Sequence, residues 1–258
     1  ENVLVVQANN SQQPNSRWYS GSGIYRNVWL VKTGQVHVDQ YGANITTPDV
    51  AQERATVMIE TTLKNTYAAA VTAELTTIIK APSGKVIAHT SLSVELPENG
   101  SDIIKQTLEV KAPELWGIKN PALYTAVTEV RSGNQLTDRY ETTFGIRTFR
   151  WDEATGFYLN GEPTKVLGVC LHHDLGCLGT AVNKRAIERQ LQIMKDMGVN
   201  AIRTSHNPPA PELLELCDRM GLLVQDESFD MWRKRKSPYD YAQYFDEWHE
   251  RDLTDQIK

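Results

Sequence analysis

The 258-residue sequence predicts a multidomain chain of the β plus α/β class: an immunoglobulin-like β-sandwich followed by a parallel α/β unit. Three observations predict it. The chain is longer than most single domains, so two or more units are expected. Residues 41–147 carry about seven apolar runs with turns every 8 to 12 residues, the spacing of a sandwich. After Trp151, strand-like and helix-like runs alternate, and each crossover returns the chain in the same direction.

Residues 1–40 form the first segment. Here "VLVVQA" and "GIYRNVWLV" read as strands rich in Val, Ile and aromatics. The 15-residue loop "NNSQQPNSRWYSGSG" joins them, and loops of that length are often functional. Two strands and a loop bury no core. This segment is therefore expected to complete a larger sheet or to pack on the rest.

The second segment is residues 41–147. "ATVMIETTLKN" puts Ala55, Val57, Ile59 and Thr61 on one face. "VTAELTTIIK" follows, ended by the turn "APSGK". "SLSVELPENG" alternates Leu92, Val94 and Leu96 before Asn99-Gly100. "QTLEVKAP" and "LYTAVTEVRSGNQLTDRYETTFGI" complete the set, with a hairpin turn at Ser132-Gly133-Asn134. The segment holds no cysteine, which excludes an antibody-type disulfide.

Residues 148–258 are the third segment. "FYLNGEP" is a strand with an Asn160-Gly161 turn, and "TKVLGVCLHH" is an apolar strand ending in histidines. "NKRAIERQLQIMKDMG" is a helix, with Ile187, Leu191 and Met194 on one face and Gly198 as its stop. "VNAIRTSH" is the next strand. "PAPELLELCDRMG" is the second helix, with Pro211 in its first turn and Gly221 past its end. "LLVQDESFDMW" reads as the third strand, and "YAQYFDEWHERDLTDQIK" begins a third helix.

Composition narrows the function. The net charge of −5, with no basic stripe, argues against a nucleic-acid partner. No apolar run approaches 20 residues, so no membrane span is expected. "ENVLVVQANN" lacks the basic start and long apolar core of a signal peptide and reads as a strand already under way. The three cysteines form no disulfide framework. Cys170, His172, His173 and Cys177 form a candidate metal cluster, but zinc ligands usually come in paired spacings. Here Cys170 and His172 alternate along a strand and His173 points to its other face, so no metal is expected.

The chemistry gathers where strands end. The first α/β strand closes on His172, His173 and Asp174, the second on Arg203, Ser205, His206 and Asn207, and the third on Asp226, Glu227, Asp230 and Trp232. In parallel α/β folds ligands sit at this end. Three polar ends in succession point to one pocket rich in hydroxyl-binding groups. No glycine-rich phosphate turn accompanies it, so neither nucleotide nor other cofactor is expected, and a sugar fits better.

"GVCLHHDLG", "MGVNAIRTSHNPP", "LCDRMGLLVQDESFDMW", "SRWYSGSGIYRNVWL" and "FGIRTFRWD" closely resemble glycoside hydrolase family 2, with the bacterial β-galactosidases nearest. The likeness covers essentially the whole chain. It implies that residues 1–40 are the end of a jelly-roll sugar-binding domain, 41–147 the immunoglobulin-like domain and 148–258 the first part of an incomplete (β/α)8 barrel. It implies a retaining enzyme acting on β-galactosides, with β-glucuronidase and β-mannosidase as alternatives within the family. A bacterial cytoplasmic or periplasmic location both remain open.

The resemblance also assigns roles. His172 and His206 match histidines that bind sugar hydroxyls, and Arg203 an arginine lying against the nucleophilic carboxylate. Asn207 and Asp226 match polar residues of that pocket, and Trp232 a ring that stacks on the sugar. Asn9 stands where the family often has an aspartate reaching the sugar from the first domain. The Glu-x-His pair that holds magnesium in some members is absent from "FDMW". The acid/base and nucleophile follow the fourth and seventh barrel strands in the family, and such a barrel needs about 250 residues. Only 108 residues remain from Trp151, so both carboxylates are expected beyond Lys258 and this chain is expected to be inactive. Glu227 is not expected to replace either. An open half-barrel exposes strand edges, which favours self-association and a homo-oligomer. A non-catalytic carbohydrate-binding module, built on Trp18 and Tyr19, is the reading from another class.

Overall fold

A computed structural model describes residues 2–18 and 21–257 of the chain, so Tyr19 lies outside the described residues. The chain divides into two compact units. Leu30–Lys165 forms one, and the segment up to Trp29 together with Val166–Ile257 forms the other.

The Leu30–Lys165 unit is a two-sheet antiparallel sandwich. Its strands are β1 (Val36–Val50), β2 (Arg54–Asn65), β3 (Val71–Lys80), β4 (Val86–Leu96), β5 (Ser101–Lys111), β6 (Tyr124–Ser132) and β7 (Gln135–Phe144). One sheet has the order β1-β2-β5 and the other β4-β3-β6-β7. Strand β2 shows why the sequence folds this way. Ala55, Val57, Ile59, Thr61 and Leu63 all face inward and are buried, as their alternation predicts, while Glu60 and Lys64 face out. The inward face meets Ile79, Leu108, Val110, Tyr124 and Phe144 at one end. At the other it meets Val36, Leu75, Leu96 and Val130.

One expectation needs correcting here. The runs "VLVVQA" and "GIYRNVWLV" form no strand among the described residues, because no other strand pairs with them. A strand exists only through its ladder, and apolar composition alone does not supply one. Conversely β1, which runs through residue 40, is hard to see in the sequence. Gly42, Asn44 and Pro48 interrupt its alternation, and its register against β2 shifts twice.

A buried polar bond ties the two sheets. Thr77 on β3 donates from Oγ1 to Gln106 Oε1 on β5 at 2.7 Å, and both side chains are buried. Gln106→Ala strands the Thr77 hydroxyl, so we expect a loss of about 1–3 kcal/mol in urea unfolding. Residues after the sandwich form a small antiparallel sheet of β8 (Phe149–Asp152), β9 (Gly156–Leu159) and β10 (Glu162–Pro163). Asn160 and Gly161, at φ 52° and 83°, make the expected turn between β9 and β10.

The second unit is parallel α/β. Its elements are β11 (Gly168–Leu171), α1 (Lys184–Asp196), β12 (Ala201–Thr204), α2 (Pro211–Met220), β13 (Leu223–Gln225) and α3 (Phe245–Ile257). The strands lie parallel in the order β11-β12-β13, with Val169 beside Ile202 and Ile202 beside Val224. Asn183 caps α1 by accepting from the Ala186 N–H at 3.0 Å. Pro211 opens α2, and Gly221 closes it in the left-handed conformation at φ 70°. Ile187 and Leu191 of α1 and Leu216 and Cys217 of α2 pack on Ile202. Burial pushes the Cys217 thiol up to about 12, so it behaves as a core hydrophobe. The third strand is shorter than the apolar run suggested. Pairing stops at Gln225, and residues 226–232 form a loop. No helix among the described residues is long and apolar enough to cross a membrane.

Candidate active site

The parallel register aligns the strand ends. Cys170 lies beside Arg203, and Arg203 beside Gln225, so the residues that follow each strand emerge on one rim. Arg203 is the hub of that rim. Its Nε donates to Glu227 Oε1, its Nη2 lies 3.1 Å from His206 Nδ1, and its Nη1 donates to Cys170 Sγ at 3.4 Å. The second oxygen of Glu227 faces His206 Nδ1 at 3.0 Å. Thr204 supports the group from below. Its hydroxyl accepts from the Glu227 backbone N–H at 2.9 Å and donates to Asp226 Oδ1 at 3.3 Å.

Aromatic packing completes the cluster. Trp18 stacks on His172 at 5.2 Å with 26° between the rings and meets His206 edge-on at 5.3 Å. His172 and His206 are themselves 5.6 Å apart. The loop carrying Trp18 is fastened by Arg17, which donates to both oxygens of Asp230 at 2.6 and 3.2 Å. Lys236 reaches the same carboxylate at 2.9 Å. Next to the cluster lies a cavity of about 440 Å³, walled by Trp18, Arg26, His206, Asn207, Phe229 and Tyr241 among others. That is within the usual range for small-molecule pockets.

The charges are set by their partners. Partial burial pulls the Glu227 carboxyl upward, but hydrogen bonds from Arg203 and His206 outweigh it and hold it below the ordinary value. Asp230 behaves likewise, with burial opposed by Arg17 and Lys236. Burial, then the charge of Arg26, depresses His173 and so favours its neutral imidazole. Its Nε2 is 3.4 Å from Asn207 Nδ2. A carboxyl whose folded pKa lies below its unfolded one stabilises the fold above the unfolded pKa, and that contribution is lost as pH falls through the folded one. Urea unfolding between pH 3 and 6 is therefore expected to lose stability through the acid range. The loss should be smaller in Glu227→Gln, and an unchanged profile in that variant would exclude Glu227 as a contributor.

Sequence reasoning and structure meet at several residues and part at others. His172, Arg203 and His206 come together, and Asp226 joins them through Thr204. Asn207 adjoins the cavity and His173. Trp232 is not brought to the cluster: it is exposed and stacks on Phe245 of α3 at 6.1 Å. Nor is Asn9, whose exposed side chain accepts from the Ser11 N–H at 3.0 Å. The residues that reasoning passed over are Glu227 as the clamp and Arg17 as the fastening. Both are charges within quoted motifs, and their long-range pairing is what a linear reading lacks. Among the described residues, no three His, Cys, Asp or Glu side chains converge as a metal site.

Comparison with known proteins matches this geometry to a family. Residues 36–147 match the glycosyl hydrolases family 2 domain, and residues 153–249 match the glycosyl hydrolases family 2 TIM barrel domain. The chain is 55% identical over 99% of its length to a β-galactosidase of Bacteroides ovatus, BoGH2A, of which it spans 30%. It is 40% identical over its full length to a protein of Formosa agariphila named as a putative β-glucuronidase, spanning 24% of it. A crystal structure of a glycosyl hydrolase family 2 member from Bacteroides cellulosilyticus superposes with a TM-score of 0.91 at 40% identity, covering 94% of this chain and 31% of that one. Family models cover both the sandwich and the α/β unit, and the chain is a member of glycoside hydrolase family 2.

Proposed function

We propose that this chain supplies part of the sugar-binding wall of a retaining glycoside hydrolase that cleaves terminal β-galactosides. One observation carries the reading: Trp18, His172, Arg203 and His206 meet at the carboxyl ends of parallel strands. That rim offers an aromatic face, imidazole nitrogens and a fixed cation, which is the chemistry a hydroxylated ring needs. The 55% identity to a protein named as a β-galactosidase supports galactose as the sugar. Retaining chemistry requires two carboxylates about 5–5.5 Å apart across the scissile bond. Glu227, held by Arg203 and His206, is a single carboxylate and is assigned neither task in this reading. The isolated chain is therefore expected to bind β-galactosides without hydrolysing them. In this reading residues 41–147 are the immunoglobulin-like domain and residues 148–258 the first part of the barrel. Exposed apolar side chains such as Leu4 (85%) and Leu30 (88%) support self-association of the isolated chain.

The test compares nitrophenyl β-galactoside with nitrophenyl β-glucuronide, on this chain and on a protein that carries it together with a complete barrel. We expect turnover of the galactoside by the longer protein alone. Turnover of the glucuronide instead would favour the second reading, which the 40% identity to a protein named as a β-glucuronidase supports. Turnover by the isolated chain would refute its assignment as a binding wall.

A further inference from the structure

We propose that Glu227 is a positioning residue that fixes His206 in the Nδ1–H tautomer and so leaves Nε2 as a hydrogen-bond acceptor for a sugar hydroxyl. The proposal rests on the carbohydrate reading of the site for its ligand, but not for the tautomer itself.

The argument is one of hydrogen-bond accounting. Glu227 is a carboxylate whose two oxygens face different partners, Arg203 Nε and His206 Nδ1. An ionised carboxylate only accepts. At 3.0 Å, an unprotonated Nδ1 would set two lone pairs against each other, so the proton must be on Nδ1. Arg203 Nη2, at 3.1 Å from the same nitrogen, makes the opposite demand, since a guanidinium only donates. The carboxylate wins this competition. Both contacts are charge-assisted, but an unprotonated Nδ1 would leave a lone pair facing the 18% exposed carboxylate, whereas the Nη2 N–H of the 39% exposed Arg203 side chain can be met by water. A neutral ring protonated at Nδ1 carries its lone pair on Nε2.

The clamp is itself held still. The Glu227 side chain is 18% exposed, and its backbone N–H is fixed by Thr204. Trp18 and His172 pack on the His206 ring and restrict its rotation. One carboxylate thus sets the plane of the guanidinium and the polarity of the imidazole together.

Glu227→Gln separates these functions. A glutamine has one oxygen, and the Arg203 cation claims it. The amide NH₂ then faces His206 Nδ1 and forces that nitrogen to accept, which moves the proton to Nε2. Long-range ¹H–¹⁵N correlation of the histidine side chains reads this directly in the full 258-residue chain. In the unsubstituted chain we expect His206 Nδ1 to give a pyrrole-type nitrogen signal and Nε2 a pyridine-type one. In Glu227→Gln the two types should exchange, with the His172 signals keeping their types. Methyl β-galactoside binding should fall in the same variant, because a hydroxyl that donated to Nε2 then meets an N–H.

A protonated Nε2 in the unsubstituted chain, whether Nδ1 is bare or also protonated, overturns the proposal and needs no variant. An unchanged pattern in a folded Glu227→Gln chain overturns it equally. If the tautomer exchanges as expected but methyl β-galactoside binds neither chain, the positioning role stands and the carbohydrate reading fails.

Discussion

Arg203→Ala is expected to weaken methyl β-galactoside binding by about tenfold or more, the largest effect of any single change on the rim. Hydrogen bonds in which one partner is ionised are about twice as strong as those between neutral groups. The Arg203 side chain is 39% exposed, and solvent screening is why the expected loss stays near tenfold. The loss reaches beyond one contact. Without the cation, Glu227 keeps His206 as a side-chain partner, and burial then acts on the carboxyl with less to oppose it. Arg203→Lys is expected to restore little, since an ammonium has no planar fork to bridge Glu227 and Cys170 together. Calorimetric titration of the three chains checks this. Equal affinity in all three would remove Arg203 from the site.

Leu191→Ala is expected to cost about 2–5 kcal/mol of stability in the α/β unit. Leu191 is fully buried, in the same cluster as Ile202, Leu216, Cys217 and Leu222. Its removal takes away contacts and leaves a void that the two helices cannot close without shifting. The consequence is functional as well as structural. Ile202 is the neighbour of Arg203 on β12, so loosening the helix beneath it loosens the platform of the guanidinium. Urea unfolding followed by the helical circular dichroism signal, with sugar affinity measured in parallel, should show both losses. A stability change under 1 kcal/mol would mean that the packing under β12 is not what holds the rim.

The sandwich was legible because its determinants are local. Strand β2 alternates without interruption, and the turns at Asn99-Gly100 and Ser132-Gly133 fall where the chain reverses. Strand β1 was not, because its alternation is broken by two register shifts whose meaning depends on the strand opposite. The same distinction separates the site residues. His172, Arg203 and His206 are placed by strand ends, and a linear pattern of apolar run then polar group finds them. Arg17 and Asp230 find each other across 213 positions of sequence, and no spacing announces that pair. Trp232 lies apart from that group. An aromatic side chain beside a polar strand end suggests stacking on a ligand, but the loop after Gln225 carries it onto Phe245 instead.

The central claim is that parallel strand ends and the Trp18 loop build one surface for a carbohydrate ring. Side-chain nitrogen resonances during a titration with methyl β-galactoside test it most directly. The account predicts concerted, saturable shifts at the Trp18 indole and at the His172 and His206 imidazoles, with the indole of Trp151 in the other unit unmoved. Saturable shifts at Trp151 with Trp18, His172 and His206 silent would contradict it.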